Sequence, residues 1–460
     1  MKKGTRTETD SMGEMEVPLD AYYGPQTARA IENFPISGIR FPRDFIRALG
    51  LIKKHAAGAN AALGELPGPL ASAIQNASQE VADGKFDVEF PLDIFQTGSG
   101  TSTNMNANEV IARRATELLH AKSRQRVHPN DHVNHGQSSN DVIPTAIHLA
   151  ALDGIVRCLD PALAELEQEL SKKAREFRTV LKIGRTHLQD ATPIRLGQEF
   201  GGYATQINLA RERLQPVLAH LGDLALGGTA VGTGINTHPR FAALAIRGLA
   251  KELRLKLREA ANHLAAQASI DTLVETSGVL KSIAVAFIKI ANDIRWLGSG
   301  PRCGLGELKL PTTQPGSSIM PGKVNPVMCE MLIQVGAQVI GNDAVVTFAG
   351  TYGAFELNTM LPVSAHNLLQ SIQLLATGSE TFTRRCVAGL EADAAKCEAN
   401  VEQSLALCTA LVPAIGYDKA AEIAKAAYRT GRTVRQVALE KSGLEKGIVR
   451  RLLDQAKKPK

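Results

Sequence analysis

Leu152 to Phe177 reads LDGIVRCLDPALAELEQELSKKAREF, and its apolar positions decide how the rest of the chain is read. Leu152, Val156, Leu159, Leu163, Leu166, Leu170 and Phe177 recur at three- and four-residue intervals, the period at which side chains return to one face of an α-helix. The spacing predicts one long amphipathic helix of about seven turns. The alternation returns at Leu280, Ile283, Phe287, Ile290, Ile294 and Leu297, a narrow stripe suited to a bundle seam. Several such helices pack as a bundle. Each stripe taken singly means core, so the stripes give architecture and leave function to other segments.

Composition agrees with a mostly α protein. Aromatic residues are only 4%, and long stretches are dominated by Ala, Leu, Glu, Lys and Arg, whose unbranched side chains lose little rotamer freedom in a helix. With 460 residues, 44% hydrophobic and 21% charged, the chain is folded, and it exceeds what one core usually serves. The net charge of +6 is spread along the chain without basic tracts, which suits a small anion and argues against nucleic acid. Cys158, Cys303, Cys329, Cys386, Cys397 and Cys408 form no C-x-x-C pair, so no zinc or iron–sulfur framework is expected, and scattered thiols suit a reducing compartment. Met1 to Asp10 is too polar for a secretory signal and carries Glu8 and Asp10, which points to a cytoplasmic chain. Apolar runs such as Ile283 to Ile288 end at Lys289, far short of a bilayer span, so no membrane segment is expected.

From Tyr22 to about Asn134, short helical pieces broken by Pro and Gly, with a β-branched and aromatic segment around Phe86 to Ile94, read as a small N-terminal domain. After about Glu391 the helices shorten, Gly416 interrupts them, and a basic tail ends in Lys457, Lys458 and Lys460. A small C-terminal domain with a solvated tail is expected there.

Four segments carry candidate chemistry. Pro311 to Pro326, PTTQPGSSIMPGKVNP, contains four prolines, two glycines, two serines and a lysine. Loops of this length are uncommon unless functional, and its glycines let backbone N–H groups converge on an anion while its prolines limit disorder. Asn325 and Pro326 read as N-cap and first position of a helix over Val327 to Ile340, with Glu330 in its first turns. Gly184 to Gly197, GRTHLQDATPIRLG, places Thr186, His187 and Gln189 at the end of a long helix, and a histidine titrating near neutral pH is the usual proton shuttle. Thr97 to Glu109 and His128 to Asp141 are rich in hydroxyls and amides just before helical stretches. Such runs are turns and N-caps, and also the way a carboxylate is held at helix N-termini without a metal.

Together these segments resemble the class II fumarases of the fumarase/aspartase superfamily, with GSSIMPGKVNP at Gly316 to Pro326 as the signature loop. The resemblance extends from SMGEMEVPLDAYYG at Ser11 to Gly24 through GYDKAAEIAKAA at Gly416 to Ala427. Gly322 in the loop and the run Ser138, Ser139, Asn140, Asp141 resemble fumarases more than aspartases, as do NTHP at Asn236 to Pro239, SGPRCG at Ser299 to Gly304 and FELN at Phe355 to Asn358. Gly136 and Leu264 depart from the pattern, where many relatives have Ser and an aromatic.

The resemblance implies a mostly α, three-domain fumarase/aspartase-like fold with a central long-helix bundle: residues 1–138, 139–393 and 394–460. It implies a fumarate hydratase that reversibly hydrates fumarate to L-malate by acid/base catalysis, with no metal and no cofactor. Ser317 is then the base and His187, oriented by Glu330, positions or protonates the departing water. Ser99, Gly100, Thr101, Ser138, Ser139, Asn140, Thr186, Ser318, Lys323, Val324 and Asn325 bind substrate. His128, Pro129, Asn130 and Asp131 correspond to a second dicarboxylate site. The partners implied are the dicarboxylate and further copies in a homotetramer whose active sites are shared among three subunits, with neither nucleic acid nor membrane. The alternatives are an aspartate ammonia-lyase and a non-catalytic structural homologue.

Overall fold

The computed structural model describes residues 4–120 and 125–457; Met1 at the polar start and Lys458 and Lys460 of the tail lie outside them. The described chain opens on a hairpin of β1 (Thr5–Asp10) and β2 (Gly13–Pro18), with Thr5 opposite Pro18. Helices α1 (Pro25–Asn33), α2 (Arg43–Leu63), α3 (Gly68–Ala82) and α4 (Thr101–His120) follow. This region is therefore built largely of long helices, not of the short pieces expected: α2 alone runs 21 residues, tolerating Gly50 and Gly58 inside it. Phe86 to Ile94 is also no regular strand. It holds a 3-10 turn at Asp87–Glu89 and one bridge between Arg40 and Asp93, and Phe86, Phe90, Leu92 and Ile94 are buried. Their apolar surface serves packing instead of a ladder.

The Leu152 to Phe177 stripe lies on a helix longer than predicted. Helix α5 (Ser139–Gly154) continues through a π turn at Ile155–Leu159 into α6 (Asp160–Glu176). A π turn inserts a residue and shifts the phase of the stripe, so Ile155 is fully buried and Val156 is 38% exposed. Then come the hairpin β3 (Leu181–Thr186) and β4 (Gln189–Arg195), α7 (Leu196–Leu221), α8 (Phe241–Leu253), α9 (His263–Ala268), α10 (Asp271–Leu297), α11 (Val327–Gly350) and α12 (Leu361–Arg385). All six apolar residues of the second stripe are buried on α10. Helix α11 continues to Gly350, well past Ile340.

The long helices are tied side by side. Arg211 on α7 donates to Glu167 on α6 (2.8 Å), the Tyr203 hydroxyl on α7 to Asp293 on α10 (3.0 Å), Ser277 on α10 to Asp343 on α11 (2.8 Å), Asn342 on α11 to Ser371 on α12 (3.0 Å), and Ser379 on α12 to the Ala162 carbonyl on α6 (3.2 Å). Two helical spans, Ser139–Glu176 and Val327–Gly350, are long and apolar enough to cross a bilayer by length and composition. Most of the first is buried in the chain, whereas most of the second is not.

Short helices α13 (Ala394–Gln403), α14 (Val412–Ile415), α15 (Tyr417–Thr430), α16 (Val434–Lys441) and α17 (Lys446–Ala456) end the chain. They share a core of Val401, Leu407, Leu411, Ile423, Val437 and Leu453, which also takes Ile183 from β3. Lys457, expected in a solvated tail, pairs with Glu402 at 3.2 Å and is largely covered.

The chain separates into two compact units, one of Met1–Pro161, Glu212–Ala284 and Ala337–Ala376, the other of Ala162–Arg211, Val285–Gly336 and Thr377–Lys460. Every boundary between them falls inside a helix.

Candidate active site

In the first unit, two helix N-termini carrying hydroxyls and amides are linked. Gly100, at φ +75°, ends the approach to α4, and its carbonyl accepts from Thr103 N and Asn104 N. Ser99 and Thr101 share a hydrogen bond of 2.8 Å. Helix α5 starts with a capping box: Ser138 Oγ accepts from Asn140 N (3.2 Å), and Asp141 Oδ1 accepts from Ser138 N (2.9 Å). This pattern satisfies otherwise orphaned donors at both ends of the first turn. Asn104 Nδ2 of α4 donates to Ser139 Oγ at 2.9 Å, which joins the two starts. Asn140 Nδ2 donates to the Ala230 carbonyl at 2.8 Å. The fully buried Asp141 takes Gly227 N and Thr229 N on Oδ2 at 3.0 Å each. Burial pushes its carboxyl above the usual range, against the pull of these N–H groups and of Lys53.

His128, Pro129 and Asn130 line a cavity of about 950 Å³ in this unit, with Arg6, Arg113 and Arg126 among its other walls. Pro129–Val133 forms a single π turn in which His128 Nδ1 accepts from Asp131 N (3.1 Å) and lies 3.2 Å from Asp131 Oδ2. Glu8, Asp10, Glu109 and Glu117 line the cavity as well, so its walls carry charges of both signs.

In the second unit, His187 is not at the end of a helix as predicted. It occupies the tip of the β3–β4 hairpin, where Thr186 opposes Gln189 and His187 and Leu188 form the two-residue turn. Their φ values are +57° and +60°, the left-handed pair that such a turn requires and that Asn-Gly normally supplies. A His-Leu pair held there is strained, and strain of this kind marks positions kept for function. What holds it is buried charge. Arg185, two residues before His187, makes a bidentate pair with the fully buried Glu307 at 2.9 and 2.7 Å. Asn400 donates to the same carboxylate at 2.9 Å, and Lys182 lies 3.7 Å from it and 3.3 Å from Glu199. Burial works to raise the pKa of Glu307, but Arg185, Asn400 and Lys182 together hold it below the usual carboxylate range. Burial wins at Glu199, whose carboxyl is pushed up. Ile183 plants the base of the hairpin in the C-terminal core.

The loop before α11 closes on itself. Gly316 N donates to the Lys323 carbonyl at 2.9 Å, and Asn325 Nδ2 donates to the Gly316 carbonyl at 2.6 Å. A side chain at 316 has no room, since its Cβ would lie 2.4 Å from the Lys323 oxygen. Asn325 is therefore not the N-cap expected: α11 begins at Val327, Glu330 N bonds back to the Pro326 carbonyl, and the Asn325 amide clasps the loop instead. Inside the clasp, Ser317 Oγ accepts from Met320 N (2.9 Å) and Ile319 N (3.2 Å). Ser318, Lys323 and Val324 are exposed, and Glu330 sits in the first turn of α11. Among the described residues no hydrogen bond joins His187 to Glu330. Thr186 is likewise exposed at the hairpin tip.

Residues 13–341 match the sequence family described as "Lyase", and residues 407–457 match "Fumarase C C-terminus". The class II fumarate hydratase of Halobacterium salinarum is 56% identical over 99% of this chain and 97% of its own length. That of Corynebacterium glutamicum is 54% identical over 95% of this chain and 91% of its own. The chain belongs to the class II fumarase family. A solved class II fumarase from Schistosoma mansoni superposes with a TM-score of 0.95 at 40% identity, covering 98% of each chain. The mostly α architecture expected from the long-helix stripes, and the fumarase-like fold that the resemblance implies, are therefore present. The two departures from the fumarase pattern lie in different settings: Gly136 adopts φ +68°, and Leu264 is 42% exposed on α9.

Sequence reading missed the supports of these candidate residues. Asn104, Lys53, Arg185 and Glu307 lie outside the quoted roles, and Thr229, at φ +55°, meets Asp141 across many residues. Glu307 follows GPRCGLG by a single step but its charge partner is 122 residues away. A charged residue embedded between apolar neighbours was the available signal.

Proposed function

We propose that the protein interconverts fumarate and L-malate, with Ser317 as the base and His187 assisting the departing water. The observation that carries this reading is the pair of backbone N–H groups on Ser317 Oγ. A serine hydroxyl is a poor base at neutral pH, and donors to its oxygen favour the ionised form. Removing the proton beside a malate carboxylate builds a doubly charged aci-carboxylate. Lys323 and Asn325, on the same clasped loop, offer a cation and an amide to that charge, with loop N–H groups completing an oxyanion site. Ser99, Gly100, Thr101, Ser138, Ser139, Asn140, Thr186, Ser318 and Val324 hold the substrate at two helix starts, the hairpin tip and the loop. Glu330 orients the His187 ring in the assembled enzyme. His128, Pro129, Asn130 and Asp131 bind a second dicarboxylate, with Arg6, Arg113 and Arg126 as the nearby cations.

The assembly is a cytoplasmic homotetramer whose active sites combine segments of three copies. Its chain divides into an N-terminal domain (1–138), a central bundle (139–393) and a small C-terminal domain (394–460). The uncovered apolar surface of α11 supports the assembly: Ile340 is 38% and Phe348 56% exposed on it, and large exposed apolar patches mark interaction faces.

The test follows fumarate absorbance on addition of purified enzyme to L-malate with a chelator present, beside an ammonia assay on L-aspartate. Fumarate from malate alone supports the reading; ammonia from aspartate replaces it with an ammonia-lyase, and silence in both leaves a structural homologue. Ser317→Ala and His187→Asn are each expected to lower turnover by at least ~100-fold, with Glu330→Gln less damaging than His187→Asn. Near-normal turnover in either of the first two removes its assigned role.

A further inference from the structure

Lys53, in the middle of α2, is fully buried. Its Nζ donates to Asn134 Oδ1 at 2.9 Å and to Gln137 Oε1 at 3.0 Å. An amine nitrogen there has hydrogens to give, so both amides must turn their oxygens inward. Asn134 Oδ1 also receives Asn104 Nδ2 (3.3 Å) and Asn108 Nδ2 (3.2 Å) from α4. The same Asn104 nitrogen donates to Ser139 Oγ at 2.9 Å. Both hydrogens of that amide are thereby committed, one to Asn134 and one to Ser139. Ser139 Oγ is engaged as an acceptor, which leaves its own hydrogen available to donate.

We infer that Lys53 is a positioning residue for substrate binding: through Asn134 and Asn104 it fixes the Ser139 hydroxyl as a donor to a substrate carboxylate. The inference rests on the reading of Ser139 as a substrate-binding residue. The facing charge is Asp141, itself buried and bound to the N–H groups of Ser138, Gly227 and Thr229. Burial lowers the Lys53 amine to about 7, with Asp141 pulling the other way. A neutral amine still gives two hydrogens, one for each amide oxygen, so the polarity of the relay survives deprotonation. Without Lys53, Asn134 Oδ1 loses its shortest donor, and the amide is held only by the 3.2 Å bond from its Nδ2 to the Gln137 carbonyl and by the longer contacts from Asn104 and Asn108; the weaker hold on Asn134 loosens Asn104 in turn, and Ser139 can turn its hydrogen inward.

Lys53→Met keeps the length of the side chain and removes its donors. KM for L-malate is expected to rise about tenfold with kcat within about twofold, the signature of lost uniform binding. Lys53→Arg restores part of the loss. Adding Lys53→Met to Ser139→Ala changes KM no further than Ser139→Ala alone, because the two act through one hydroxyl. Additive effects, or a kcat loss matching the rise in KM, overturn the inference and leave Lys53 a structural residue. If Ser139→Ala raises KM and Lys53→Met does not, the inference fails while the substrate-binding role of Ser139 stands; if Ser139→Ala changes nothing, that role falls and the inference with it. Should Lys53→Met fail to fold, Asn104→Ala carries the same comparison, since it leaves Lys53 its two amide partners and removes the donor to Ser139.

Discussion

Glu307→Gln replaces the carboxylate beneath the His187 turn with a neutral group of the same shape. Two residues in left-handed conformation cost roughly 1–2 kcal/mol apiece, about 2–4 kcal/mol for His187 and Leu188 together. Breaking a buried ion pair from one side costs about 3–5 kcal/mol, because the remaining charge is left uncompensated. Arg185, and Lys182 behind it, would be that charge. The clamp outweighs the strain only while Glu307 is ionised, so the substitution is expected to release the turn as well as destabilise its surroundings. Turnover on L-malate should fall at least ~10-fold, through misplacement of His187, the proposed acid–base group, and the urea midpoint should drop. Leu188→Gly supplies a residue that takes positive φ without steric penalty. In the Glu307→Gln background it should recover part of the midpoint, by about 1 kcal/mol. A Glu307→Gln enzyme with unchanged turnover and midpoint would refute the clamp, and a Leu188→Gly change that recovers nothing would refute the strain.

The same carboxylate sets a pH dependence. Its pKa is depressed in the fold, so its contribution to stability is present above the unfolded value near 4.5 and is lost as pH falls through the lower folded value. Acid unfolding monitored by circular dichroism should begin below about pH 4.5, and Glu307→Gln should flatten that slope. Gly316→Ala would set its Cβ 2.4 Å from the Lys323 carbonyl and open the clasp around Ser317; turnover should fall at least ~10-fold with little change in the urea midpoint, since the loop is mostly exposed. Gly98→Ala meets the Thr359 carbonyl at 1.9 Å, and the overpacking is expected to lower stability by about 3 kcal/mol or more in urea titrations.

The residues from Leu152 to Phe177 and from Leu280 to Leu297 declared long helices because helical periodicity is a local property, written in the spacing of apolar side chains. The signature loop was legible for a similar reason: its prolines, glycines and paired serines are contiguous. Even there, local reading slipped where a non-local term entered. The π turn at Ile155–Leu159 rotates Val156 outward, and Phe86 to Ile94 is buried without pairing as a regular strand.

His187 shows where the sequence stops. Its residue type announced chemistry, but its place at a strained hairpin tip depends on Arg185 meeting Glu307, 122 positions along the chain. Ser139 is similar: the capping box at Ser138 and Asp141 could be read locally, whereas the donor on its hydroxyl comes from Asn104, 35 positions before it. The sequence alone determined the helices, the loop and the kind of chemistry, because composition and spacing act over a few residues. The tertiary structure decided which buried charges hold the strained turn and which amides orient the hydroxyls, because those energies exist only once distant side chains share a space that water has left.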